Sequence, residues 1–232
     1  VLLHQTASSS AMYEALMNAL AGEYACIAPD TPGFGESFTP PAAPTIALYA
    51  EALYEALSAL KVRACWLFGH HTGASIAVQM AHDHPGFARR LILSGPPYLT
   101  VAQRAAFAAG VHQIVPCADG AHLLPLWQRI VSKEPDVPLA LAHREFTLTL
   151  RAGDQYAAAY HAVFGHDLAA QLPSIACPVH VMGGEFDVLR DCLQPAAAAA
   201  RQGSMQLIPG AGTYVCERQT ALVADVIRRF FR

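Results

Sequence analysis

The sequence predicts an α/β fold, a doubly wound and mostly parallel sheet interrupted by a helical insertion. Three observations predict it. Short apolar runs of strand length alternate with stretches whose apolar residues recur at helical spacing, over residues 1–97 and again over 173–232. Between them, 98–172 carries helical patches and no clear strand. The glycine-framed turn Gly69-His70-His71-Thr72-Gly73 joins an apolar run to a helical stretch, the setting in which a G-x-S-x-G turn raises its central side chain above a sheet.

Taken in order, Val1-Leu2-Leu3 reads as the end of a buried strand with no turn or partner before it, so the chain is expected to be truncated at its N-terminus. A loop of capping residues, His4-Gln5-Thr6-Ala7-Ser8-Ser9-Ser10, leads into a helix over 12–20, where Met12, Leu16 and Leu20 recur at helical spacing. A short strand over 24–28 closes at Pro29-Asp30, and a loop punctuated by Pro and Gly follows. Leu53, Leu57 and Leu60 mark the buried face of a helix over 46–60. The strand over 64–68 enters the central turn, a helix over 74–82 leaves it and stops at Pro85-Gly86, and 90–94 is the next strand. Such spacing implies parallel pairing with helices on both faces.

In the insertion, helices are expected over 101–109, 123–132, 139–150 and 155–164. Strands at 179–182 and 205–208 then alternate with a helix through 196–200 and a last amphipathic helix over 221–231. The domain organisation is a core of 1–97 and 173–232 with a helical cap of 98–172.

At 232 residues, 53% hydrophobic and 14% charged, the chain is long enough to bury a full core. A net charge of -3 and only two lysines, Lys61 and Lys133, leave no basic stripe, so nucleic acid is not an expected partner. No apolar run reaches the ~18 residues that span a bilayer, so no membrane partner is expected. The six cysteines form no C-x-x-C pair, and Cys26 and Cys65 lie in apolar runs, which favours reduced thiols in a cytoplasm. No spacing typical of a metal site occurs, His161, His166 and Asp167 included, and no cofactor is expected.

Five motifs in order carry a family. They are His4-Gln5-Thr6, Asp30-Thr31-Pro32-Gly33-Phe34-Gly35-Glu36-Ser37, the central turn, Gly183-Gly184-Glu185-Phe186-Asp187 and Ile208-Pro209-Gly210-Ala211-Gly212-Thr213. In this series the chain resembles the α/β-hydrolase fold superfamily. The resemblance implies that the first two strands of the family's sheet are missing. It also implies that the catalytic positions, nucleophile, acid and histidine, are His71, Asp187 and Thr213. Only the acid is kept. Backbone N–H groups of Thr6 and Thr72 would form the oxyanion hole, with Gln5 standing where the family has Gly.

The imidazole of His71 reaches further than a Ser hydroxyl, and Thr213, smaller than His, leaves space between the turn and Asp187. A His71–Asp187 dyad is therefore expected, with Asp187 fixing the tautomer and His71 acting as general base. A gap of hydrogen-bond length, ~2.7 to 3.2 Å, would favour it, and a side chain wedged between them a retired site. The alternative reading of Asp187 is a cap on the following helix or a pair with Arg190. His70 is expected to be structural, and Gln5, Ser8 and Ser94 to lie at the pocket. The leading reading is a cofactor-independent enzyme that acts on a small apolar carbonyl compound, by ester, amide or C–C hydrolysis or by proton abstraction next to the carbonyl. The alternatives are a ligand-binding pseudoenzyme of the same fold and a serine hydrolase using another Ser.

Overall fold

In the computed structural model, which describes residues 1–232, alternation along the strands decides the layering. The strands are β1 (Leu2–Leu3), β2 (Cys65–His70), β3 (Ala88–Ser94), β4 (Val179–Gly184) and β5 (Gly203–Ile208). They lie side by side in that order, every pair parallel. Successive strand residues face opposite ways. Leu3, Leu67, Leu91 and Val181 enter one cluster, and Leu2, Phe68, Ile92 and Met182 enter the other. With both faces apolar, the sheet needs helices on each side.

Those helices are α1 (Glu14–Leu20), α2 (Ile46–Ala59) and α3 (Thr72–Asp83) in the first part of the chain, and α9 (Leu193–Ala199), α10 (Val215–Arg218) and α11 (Thr220–Phe231) in the last. Between them come α4 (Val101–Ala109), α5 (Leu123–Val131), α6 (Leu139–Ala152), α7 (Asp154–Gly165) and α8 (Leu168–Gln171). Leu53 and Leu57 of α2, Ile76 and Val78 of α3 and Leu193 of α9 cover one face, and Leu16 of α1 with Val223 and Ile227 of α11 cover the other. No strand lies between Ser94 and Val179.

Three local expectations are corrected. Residues 24–28 are extended but form no strand, because β1 is two residues long and offers Ile27 a single bond, from the Leu2 N–H at 2.8 Å. The helix expected over 12–20 opens as a 3-10 turn, Ser10–Tyr13, capped by Ser9. Leu60 is the C-cap of α2 and is exposed, so it does not share the buried face of Leu53 and Leu57.

The inserted helices are bound to the core by packing and by two buried carboxylates. Tyr156, Ala159 and Val163 of α7 enter the larger cluster, while Leu126, Ile130 and Ala142 form a small one between α5 and α6. Glu145 of α6 accepts from Ser8 Oγ at 2.9 Å and pairs with Arg144, which also reaches Glu217 of α10. Glu134 accepts from the Tyr214 N–H at 2.8 Å and pairs with Arg218 at 2.6 Å. No helix is long and apolar enough to cross a membrane.

Candidate active site

The strand-to-helix turn is tight because its glycines allow close approach. A Cβ on Gly69 would collide with the Gly73 backbone, and one on Gly73 with the Leu3 carbonyl, so α3 lies directly against β1 and β2. At the tip, His71 has φ 49° and ψ -108°, a positive φ outside the regions L-residues favour and a local strain held by the surrounding fold. Its ring is thereby lifted to the C-terminal ends of the strands, where doubly wound sheets bind ligands.

His71 Nε2 lies 2.8 Å from Asp187 Oδ2. No side chain stands between them. A carboxylate accepts, so the proton is on Nε2 and Nδ1 carries the lone pair; no group of the fold occupies Nδ1. Asp187 is buried, and its other oxygen accepts from the Leu189 N–H at 2.8 Å. It makes no pair with Arg190. Burial pushes the Asp187 carboxyl up, but the adjoining His71 and its hydrogen bond, His70 and the Leu189 N–H outweigh it and hold it at about 2. It is therefore an anion at neutral pH. Room for the imidazole comes from Gly95, which follows β3 with φ +56°: a Cβ there would lie 2.5 Å from His71 Cδ2 and 2.6 Å from Nε2.

His70 points away from the cavity and is fully buried. Desolvation, aided by the neighbouring His71 charge, pushes its pKa down to about 3, so it is neutral. Its Nε2–H donates to the Thr213 carbonyl at 3.0 Å, which leaves Nδ1 to accept from Ser94 Oγ at 2.9 Å. One ring thus fixes the ends of β2 and β3 and the loop bearing Thr213. His4 does similar work, with Nδ1 donating to the Gln5 carbonyl at 2.8 Å and Nε2 accepting from the Thr31 N–H at 2.9 Å.

A cavity of about 480 Å³ opens over His71 and is also lined by Gln5, Thr72 and Thr213. That volume is in the range of small-molecule sites. The expected oxyanion-hole role of Thr6 and the expected pocket contacts of Ser8 and Ser94 differ from what the fold shows. The Thr6 N–H donates to Thr72 Oγ1 at 3.3 Å, and the two hydroxyls are 2.7 Å apart, so Thr6 is committed inside the fold and does not face the cavity. Ser8 is committed to Glu145 and Ser94 to His70, and neither lines the cavity. Thr72 lines the cavity as the first residue of α3, where a backbone N–H has no intrahelical partner. Gln5 lines the cavity beside it with a buried Nε2 that has no partner.

Sequence reasoning missed Gly95, Arg129 and Lys133. Gly95-Pro96-Pro97 reads as a turn, and nothing local says that its first residue makes room for an imidazole from another strand. Arg129 lies in the last turn of α5 and Lys133 in the turn just past its C-cap Ser132, and their placement on the cavity wall is set by how the chain folds back there. Among the polar groups of the insertion, Tyr160 lines the cavity, while His166 bonds Gln171 at 2.9 Å and Asp167 caps α8.

The family model for the alpha/beta hydrolase fold matches residues 1–177. An esterase from Thermogutta terrifontis has a similar structure, with a TM-score of 0.84 at 22% identity over 100% of this chain and 88% of its own. An enol-lactonase from Burkholderia xenovorans LB400 gives 0.78 at 19% identity, covering 99% of this chain and 90% of that one. In sequence, an uncharacterized protein of Mycobacterium tuberculosis is 27% identical, over 99% of this chain and 74% of that protein.

Proposed function

The chain belongs to the alpha/beta hydrolase fold family, and from that premise we propose that it hydrolyses a small, largely apolar carbonyl compound, an ester before an amide or a C–C bond. The catalytic unit in this reading is a His71–Asp187 dyad, with Thr213 at the vacated histidine position. The observation that supports it is the 2.8 Å contact between His71 and Asp187 at the wall of a ligand-sized cavity, with Nδ1 left unpaired.

The chemistry follows from the tautomer. Asp187 holds the proton on Nε2, so Nδ1 takes a proton from a water as its oxygen attacks the carbonyl carbon. The carbonyl π pair moves to oxygen, where the Thr72 N–H donates to the oxyanion. The Gln5 amide beside it, whose NH2 has no partner in the fold, supplies a second donor. Collapse re-forms the carbonyl and expels an alkoxide, which recovers the proton from Nδ1. Asp187 stabilises the imidazolium between the two transfers. Residues 98–172 serve as the cap that roofs the cavity, and the free cysteines suit a reducing cytoplasm.

Replacing His71 by Ala is expected to lower kcat by about 10²-fold or more, and Asp187→Asn to lower it with KM little changed. Turnover that survived both would rule out the dyad. Ligand binding without turnover in the wild type would instead mark a binding protein. A fluorophosphonate probe is expected to leave the chain unlabelled, since the reading uses no serine nucleophile.

A further inference from the structure

We infer that the substrate enters this cavity as a carboxylate anion, held by Arg129 and Lys133 of the cap while its carbonyl lies at His71. The inference rests on the catalytic reading of the cavity and adds the class of substrate to it. Both cations line the same cavity as His71, and no Asp or Glu does. The chain as a whole carries 18 acids against 15 bases. A wall with cations alone therefore runs against its overall balance.

Neither cation has an ion-pair partner. Every ion pair in the fold belongs to other residues, and Glu134, next to Lys133, is taken by Arg218. Aromatic rings hold them in place instead: Arg129 Cζ lies 5.7 and 5.8 Å from the Tyr156 and Tyr160 centroids, and Lys133 Nζ lies 5.6 Å from that of Tyr214. Such contacts orient a cation without neutralising it. Two like charges on one cavity wall with no carboxylate beside them repel, and an anion between them relieves the repulsion. The C-terminus of α5 favours cations on its own account, but that preference is met anywhere around the last turn and does not select the face toward the cavity. Phe107, Val111, Val163 and Phe164 complete the wall, which suits an apolar body between the carboxylate and the reacting carbonyl.

The test is calorimetry on the full chain with phenylacetate, the neutral phenylacetamide and phenyl phosphate, in wild type, His71→Ala, Lys133→Arg and the pair Arg129→Gln with Lys133→Gln. Phenylacetate is expected to bind roughly tenfold more tightly than its amide, in the range of a charge-assisted hydrogen bond, and high salt should narrow the gap. The double substitution should erase the preference and Lys133→Arg keep it, with unchanged circular dichroism. Equal affinity for acid and amide, no binding of the acid, or a preference that outlasts the double substitution overturns the inference. Tighter binding of phenyl phosphate than of phenylacetate overturns the assignment to a carboxylate. Turnover of a dicarboxylic hemi-ester is followed beside this, with KM expected to rise and kcat to hold in the double variant. Acid preference kept in His71→Ala with turnover unimpaired would remove the dyad alone, and preference lost while turnover still needs His71 would remove this inference alone.

Discussion

At the scale of single residues, two neighbouring histidines of identical chemistry have opposite fates. His70 is sealed behind β2 with both nitrogens occupied, and desolvation keeps it neutral down to about pH 3. His71 has one nitrogen held by Asp187 and one open. The difference comes from the reversal of side-chain direction at the positive-φ tip of the turn, not from the residue type. Gly95 is the hidden partner of that arrangement. Gly95→Ala is expected to push the imidazole off Asp187, because the new methyl would lie 2.5 Å from Cδ2. Turnover should fall far more than stability, which loses about 1 kcal/mol for the positive φ. A crystal structure of the variant that kept the 2.8 Å contact would contradict this.

At the scale of elements, the inserted helices are fastened by charges buried where they meet the core. Arg144 lies between two carboxylates, Glu145 on its own helix and Glu217 on α10. Burial, reinforced by the charge of Glu145, pushes Glu217 up to about 7 even though Arg144 opposes the shift. Arg144→Met would strand two buried anions. It is expected to cost roughly 3 kcal/mol at pH 8, since breaking a buried pair leaves charge uncompensated. Urea unfolding at pH 5, where Glu217 is protonated, should recover part of that loss; an equal loss at both pH values would show that the charges are not the cause.

For the whole molecule, these groups set how stability depends on pH. His70 binds a proton in the unfolded chain below 6.5 but in the fold only near 3, so stability falls as pH drops below 6.5. His4, His166 and His180 are also pushed down by desolvation and act in the same sense. Asp187, held at about 2 against 3.8, adds a loss below 3.8. Glu217 acts oppositely, because the unfolded chain releases its proton near 4.5 and the fold only near 7; over that interval stability declines as pH rises. Unfolding free energies from pH 4 to pH 8 should therefore drop on the acid side, and Glu217→Gln should steepen the curve by up to ~1.4 kcal/mol per pH unit between 4.5 and 7. A variant curve parallel to wild type would contradict the assignment.

The sequence by itself determined the layers, the parallel order and the central turn, because those follow from local periodicity and from glycines with a fixed spacing. It also named His71, Asp187 and Thr213, since each stands in a motif with its own loop signature. Its errors were local: a strand at 24–28 that found too short a partner, an oxyanion-hole role for Thr6, and pocket roles for Ser8 and Ser94, whose polar groups met partners far away in the chain. Only the tertiary structure decided which nitrogen of His71 is open, that Gly95 makes room for it, and that Arg129 and Lys133 reach the cavity. Each of those depends on where two distant segments meet, and separation in sequence carries no record of distance in space.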